Sequence, residues 1–416
     1  MNLTKLSWKY LTFKPLSTGL NILLLALGLA IITVLLLMQD QFEKKMNKDA
    51  AGIDLVVGAK GSPLQLILSS VYHVDFPTGN IPMEEAQKLS RNRLVKNVIP
   101  MALGDNYEGF RIVGTNGQYP ELYQATVQEG GIFTLPFEVI LGSEVAKKTG
   151  YQVGDTFVGS HGISEGSHDH EENKFKVSGI MAPTGGVLDQ LIVTSIESVW
   201  YTHEEADEES DSTHTHHKID LTIPVAAKGF PKTDEPREIT TLLVQYRNPM
   251  AAIQLPRLVN SGTSMQAASP SFEMARLFEL LGVGVSLLQG LAYVLIGISG
   301  LGIFIALYNS LKERKYDLAI LRSIGASRFQ LVLLIFMEGV MLTLFGALLG
   351  ILLGHGFLWG VISQNEQGVV GTFQPWIFLR EELWIVAYAL VVGIVASVIP
   401  AITAYQTSIA KQLTKG

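Results

Sequence analysis

Apolar residues fall along this chain in four long runs, at 17–38, 276–308, 329–361 and 383–404. Each is long enough to cross a bilayer core of roughly 30 Å, which takes about 20 helical residues. Between the first two runs the pattern changes. Over 39–275 the apolar positions come in short segments bounded by Gly, Pro and Asn. Ile53–Val57, Val98–Leu103, Phe110–Val113, Glu138–Leu141, Thr156–Gly159, Lys174–Ile180, Leu191–Thr194 and Thr240–Gln245 read as strands. Pro82–Leu89, Ser143–Lys148 and Ser195–Tyr201 read as short helices. The pattern predicts four transmembrane α-helices with a large extracytoplasmic α+β domain between spans 1 and 2.

The remaining segments are short. Residues 1–16 alternate lysines with Leu3, Leu6, Trp8, Leu11 and Phe13, as in a helix lying at the membrane surface. A cationic segment fills 309–328, a loop 362–382, and a tail 405–416. The first run could be a signal peptide, but it exceeds a usual apolar signal core. No small-residue cleavage site follows, and Gln39–Lys45 continues as a polar helix, so the run is read as a retained span.

Charge adds the orientation. Lys5, Lys9 and Lys14 precede span 1, lysines and arginines cluster at 312–328, and Lys411 and Lys415 end the chain. The positive-inside rule puts both termini and 309–328 in the cytoplasm, and 39–275 and 362–382 outside. The net charge of −7 is concentrated between about 165 and 240, and no broad basic face exists for nucleic acid. With no cysteine in 416 residues, disulfides, thiol chemistry and Cys-based zinc sites are excluded. No phosphate-binding Gly-x-x-x-x-Gly-Lys-Ser/Thr and no His-Glu-x-x-His occurs, so nothing argues for an enzyme.

Four groups of residues carry candidate chemistry. Lys312-Glu-Arg-Lys-Tyr-Asp-Leu-Ala-Ile-Leu-Arg-Ser-Ile-Gly-Ala326 packs charges ahead of an apolar face of Leu318, Ile320, Leu321 and Ile324. Such a stripe with exposed charges suits a groove on a partner. Glu338, about ten residues into span 3, is costly in a bilayer; its distance along the helix favours an interfacial carboxylate paired with Arg322 or Arg328. His355 reads as a hydrogen bonder between helices. Gly346, Gly350 and Gly354 share one face of span 3 and allow close helix approach, within one subunit or between two. Gly282, Gly290, Gly297, Gly300 and Gly302 give span 2 a similar character.

The fourth group is histidine. Of nine histidines, seven fall at His161, His168, His170, His203, His214, His216 and His217, among acidic, Gly- and Ser-rich neighbours. Imidazole with carboxylate suits Zn²⁺ or another transition metal. The irregular spacing equally suits a solvated acidic loop, and both readings stay open.

Several stretches resemble the FtsX/MacB-like permeases, including the LolC/LolE-like branch of the type VII ABC transporters. Lys312–Ser327 is similar to that family's charged Ile-Leu-Arg-x-x-Gly-Ala segment, Glu338 to an acidic position in its third span, and Pro400-Ala401 to its ending. Ile140–Ala146, Val153–Asp155 and Phe175–Ile180 resemble its outer domain, whereas the histidine-rich insertions depart from it. The resemblance implies a non-catalytic subunit in a bacterial inner membrane. It implies a second permease copy, a cytoplasmic ABC ATPase dimer that binds ATP and Mg²⁺, and a periplasmic protein or lipoprotein client moved by mechanotransmission. In it, Lys312, Glu313, Arg314, Lys315, Asp317, Leu318, Ala319, Ile320, Leu321, Arg322, Gly325 and Ala326 dock on the ATPase. No cofactor of the chain itself is implied; zinc would come from the histidines. An FtsX-like regulator of periplasmic proteins, or a membrane-anchored metal buffer or sensor, are the alternatives.

Overall fold

A computed structural model describes residues 3–161, 174–208, 222–364 and 373–406. The chain divides into two compact units: residues 1–43 with 279–416, and residues 44–278.

Unit 44–278 is built on one mixed sheet. Along its main path the strands run Met265–Ala268, Leu55–Ala59, Thr241–Tyr246, Val95–Tyr107, Phe110–Thr115, Leu191–Ser195, Glu138–Leu141, Phe175–Met181 and Val127–Gly130. Two neighbouring pairs are parallel, Leu191–Ser195 with Phe110–Thr115 and Glu138–Leu141 with Phe175–Met181; the rest are antiparallel. The 13-residue strand Val95–Tyr107 joins the two halves. Its first part pairs with Thr241–Tyr246 and its second with Phe110–Thr115.

Each half has its own apolar core. One gathers Leu55, Val57, Leu242, Val244 and Met265 under the helices Met83–Ser90 and Ala251–Gly262. The other gathers Ile112, Val139, Leu141, Phe157, Phe175, Val177 and Ile192. Every residue of Leu191–Ser195 is buried, as expected of a strand covered on both faces.

Unit 1–43 with 279–416 is helical. A short helix, Leu3–Phe13, precedes span 1 (Pro15–Asp49). Span 2 is Pro270–Glu313, span 3 Arg328–Gln364 and span 4 Glu382–Tyr405; all four are long and apolar enough to cross a membrane. Spans 1 and 2 are 35 and 44 residues long. Pro400 neither ends span 4 nor stops its apolar run, because the helix continues to Tyr405.

Span 3 is the axle of this unit. A Cβ on Gly346 would meet Leu25, one on Gly350 would meet Ala26 and Leu29, and one on Gly354 would meet Thr33 and Ala30. The glycine face therefore closes against span 1 of the same chain. Gly339 and Gly393 make the equivalent approach between spans 3 and 4. Among the described residues, a Cβ on Gly282, Gly290 or Gly297 would meet nothing within 4 Å, whereas one on Gly300 would meet Val392 and one on Gly302 would meet Asn21.

Candidate functional site: the joint between spans 2 and 3

The cationic segment is a helix of its own, Lys315–Ser323, separated from span 2 by a single non-helical residue, Arg314 (φ −98°, ψ 12°). The backbone barely pauses there: Arg314 N–H donates to Ser310, and Leu318 N–H donates back to the Arg314 carbonyl. Asp317 lies in the first turn of the short helix and Arg322 in the last, the order that complements the helix dipole. The helix stops at Gly325, whose φ of +109° is the left-handed region open to glycine. The Ala326 N–H then donates to the Leu321 carbonyl at 3.0 Å.

Two residues on, span 3 begins with a reciprocal cap. Ser327 Oγ accepts from the Gln330 N–H at 3.2 Å, and the Ser327 N–H donates to Gln330 Oε1 at 2.8 Å. The sequence Ile324-Gly-Ala-Ser327 is thus a stop followed by a start, and it fixes a short turn between two helices.

Burial corrects one expectation. Of the stripe Leu318, Ile320, Leu321 and Ile324, Leu318 faces inward. It is buried with Ala319 and shares a cluster with Leu11, Leu307, Leu311, Leu331 and Leu334; Leu321 packs against the same cluster. The surface left open carries Tyr316, Asp317, Ser323 and Ile324, with Lys312 and Glu313 just upstream. Ile324 is 79% exposed. An amphipathic pattern gives the stripe but not which side of the segment the chain itself fills.

Glu338 gives a second correction. Its carboxylate accepts from Arg314 Nη1 at 3.2 Å, not from Arg322 or Arg328. Arg314 Nη2 donates to the Tyr10 carbonyl at 3.3 Å, and the guanidinium lies 3.7 Å from the centre of the Tyr10 ring. Lys14 and Glu313 pair at 2.5 Å beside it. Arg328 instead lies over the Tyr405 ring at 5.5 Å. The helix Leu3–Phe13 is held here as well, with Leu11 in the common cluster and Ser7 Oγ donating to the Leu334 carbonyl.

At the far end of span 3, His355 behaves as read. One ring nitrogen lies 2.6 Å from the Pro375 carbonyl and the other 3.2 Å from Glu382 of span 4. The ring stacks on Trp376 at 5.8 Å. Gln374 and Gln41 exchange hydrogen bonds of 2.6 and 3.1 Å, so this loop is tied to span 1 too.

Among the described residues no group of three or more His, Asp or Glu is placed to hold a metal. His168, His170, His214, His216 and His217 lie outside the described residues, as do the side chains of His161 and His203. The backbone of His161 pairs with Asp105, and that of His203 lies in the helix Ile196–Glu208.

Residues 290–409 match the family of FtsX-like permease C-terminal domains, and residues 18–251 match the MacB-like periplasmic core domain. The chain belongs to the FtsX/MacB-like ABC permeases. Membership of this family carries an ABC ATPase partner and a membrane setting with it. Among solved structures, the periplasmic region of MacB from Actinobacillus actinomycetemcomitans is similar at 12% identity and a TM-score of 0.33, covering 56% of this permease and 97% of that chain. The extracellular domain of the transporter YknZ from Gram-positive bacteria is similar at 15% identity and a TM-score of 0.30, covering 52% and 99%. No curated protein matches the permease in sequence.

Proposed function

We propose that this permease is the non-catalytic transmembrane subunit of a bacterial inner-membrane ABC complex. A separate cytoplasmic ATPase docks on the exposed face of Lys312–Ala326, carried by Tyr316, Asp317 and Ile324 and not by the partly buried Arg314, and its closure on ATP moves the MacB-like domain against a periplasmic client. The observation that carries the reading is the separate helix Lys315–Ser323, which lies between two membrane spans, is rooted by Leu318 and Ala319, and leaves Tyr316, Asp317 and Ile324 open. A second permease copy completes the complex. It would meet Gly282, Gly290 and Gly297 of span 2, where an added Cβ would have no neighbour within 4 Å among the described residues.

Co-purification tests the docking. Asp317→Lys and Ile324→Glu alter exposed positions without disturbing the buried root, so the full-length chain should fold but retain less than about a tenth of its ATPase. Unchanged association in both variants would refute the docking surface. A metal buffer working without an ATPase would show no association even in the unaltered permease. The histidine-rich segments favour a link to zinc as an addition to this reading. Calorimetry of Zn²⁺ at micromolar concentration into the purified full-length permease should show binding that is lost as pH falls and imidazoles protonate. Absence of heat at neutral pH ends the metal reading.

A further inference from the structure

Arg314 occupies the single break between span 2 and the coupling helix, yet its side chain does not face solvent. It is 14% exposed, and Glu338 is 6% exposed. One guanidinium nitrogen serves Glu338 of span 3 and another serves the Tyr10 carbonyl of the N-terminal helix. The guanidinium carbon lies over the Tyr10 ring. Three elements therefore converge on one side chain at the one residue that interrupts the helix between Glu313 and Lys315.

We infer that Arg314 is the positioning residue of the coupling joint. It locks the break, so that displacement of the coupling helix is delivered to span 3 and the N-terminal helix as one body instead of bending span 2 at residue 314. The inference rests on the docking reading above. Its physical basis is the fork of arginine. A planar group with several fixed N–H donors can serve two acceptors at once while stacking on a ring. A lysine ammonium can neutralise Glu338 but is a single point and cannot lie flat on Tyr10. The pairing is also obligatory. A carboxylate buried like Glu338 is costly without its counter-charge, whereas replacing both partners by apolar groups is tolerated.

That asymmetry sets the variants. Arg314→Met with Glu338→Met removes the lock while keeping the site filled. Arg314→Lys keeps the charge but not the fork. The permease has no cysteine, so Asn309→Cys on span 2 before the break and Phe329→Cys at the start of span 3, both exposed and both outside the docking segment, take spin labels without background. Distances between the labels are measured in the full complex with its co-purified ATPase, nucleotide-free and trapped with Mg-ATP and vanadate.

The unaltered joint should give one narrow distribution in both states. In the double-methionine variant it should broaden about twofold or split on trapping, with Arg314→Lys in between, because a point charge restores only one of the two bonds. ATPase association and overall folding should stay within about twofold of the parent, since a buried ion pair exchanged for apolar groups costs little stability. A variant distribution as narrow as the parent's in both states would overturn the inference. Loss of ATPase from the folded double variant would overturn it too, by assigning Arg314 to docking itself. If the parent permease retains no ATPase, the docking reading fails instead, and the nucleotide-free distributions alone still decide the lock.

Discussion

His73 is buried at 7% exposure in the outer domain and holds a left-handed backbone, φ 54°. Its Nε2 lies 2.9 Å from the Tyr119 hydroxyl, and Nδ1 has no hydrogen-bond partner among the described residues. Burial first, and the Arg111 charge second, push its pKa down from 6.5 to about 3. The folded domain therefore binds no proton there between pH 6.5 and about 3, whereas the unfolded chain does. Stability should fall as pH drops through that window, by up to about 1.4 kcal/mol per pH unit from this group, and not above it. His73→Asn, which tolerates the left-handed backbone and keeps a partner for Tyr119, should flatten that slope in urea unfolding of the purified permease. An unchanged slope would assign the pH response elsewhere. At this scale the sequence was only partly legible. Glu338 was recognisable as a buried acid needing a cation. Its partner was not, because counting residues along span 3 favours Arg322 and Arg328, while the fold returns Arg314 to it from across a helix break.

Helices and strands differ in how openly they announce themselves. Glu138–Leu141 has the bounds read for it as a short apolar segment between Pro136 and Gly142. The edge strands Val127–Gly130 and Met265–Ala268 have four residues each, too few to show a period. The helix Ala251–Gly262 carries Pro256 inside it, which hid it from a reading that takes proline as a stop. In the membrane unit the small-residue face of span 3 was visible, but its partner, span 1, was not. That assignment has a consequence. Gly350→Ala would push a Cβ to 2.8 Å from the Ala26 carbonyl oxygen, where backbone must move, and should destabilise the permease by about 1–3 kcal/mol in detergent unfolding. Gly290→Ala meets nothing within 4 Å and should leave unfolding unchanged or slightly improved. Equal effects would mean that span 2 is packed within the chain after all.

The whole molecule combines four apolar helices, each long enough to cross a membrane, with a domain whose sheet order no sequence pattern discloses. Strand pairing between segments as distant in sequence as Leu55–Ala59 and Thr241–Tyr246 depends on which faces meet, and local alternation is silent about that. Orientation is read from lysine and arginine placement alone. It predicts that Ser363→Cys is modified by a membrane-impermeant maleimide in intact cells, whereas Ser323→Cys reacts only after permeabilisation. The reverse pattern would invert the topology.

The two polar knots on span 3 also make it a gauge of its surroundings. Glu338 and His355 are 17 positions apart, or about 26 Å along a helix axis. That is close to the thickness of a typical hydrocarbon layer. A thicker bilayer must either draw one knot into the acyl chains or stretch the lipid around it, and a thinner one must pucker or tilt the bundle. The permease should therefore unfold at its highest temperature in vesicles of one intermediate acyl-chain length and lose stability on both sides of it. A flat dependence on lipid length would show that span 3 is indifferent to hydrophobic mismatch.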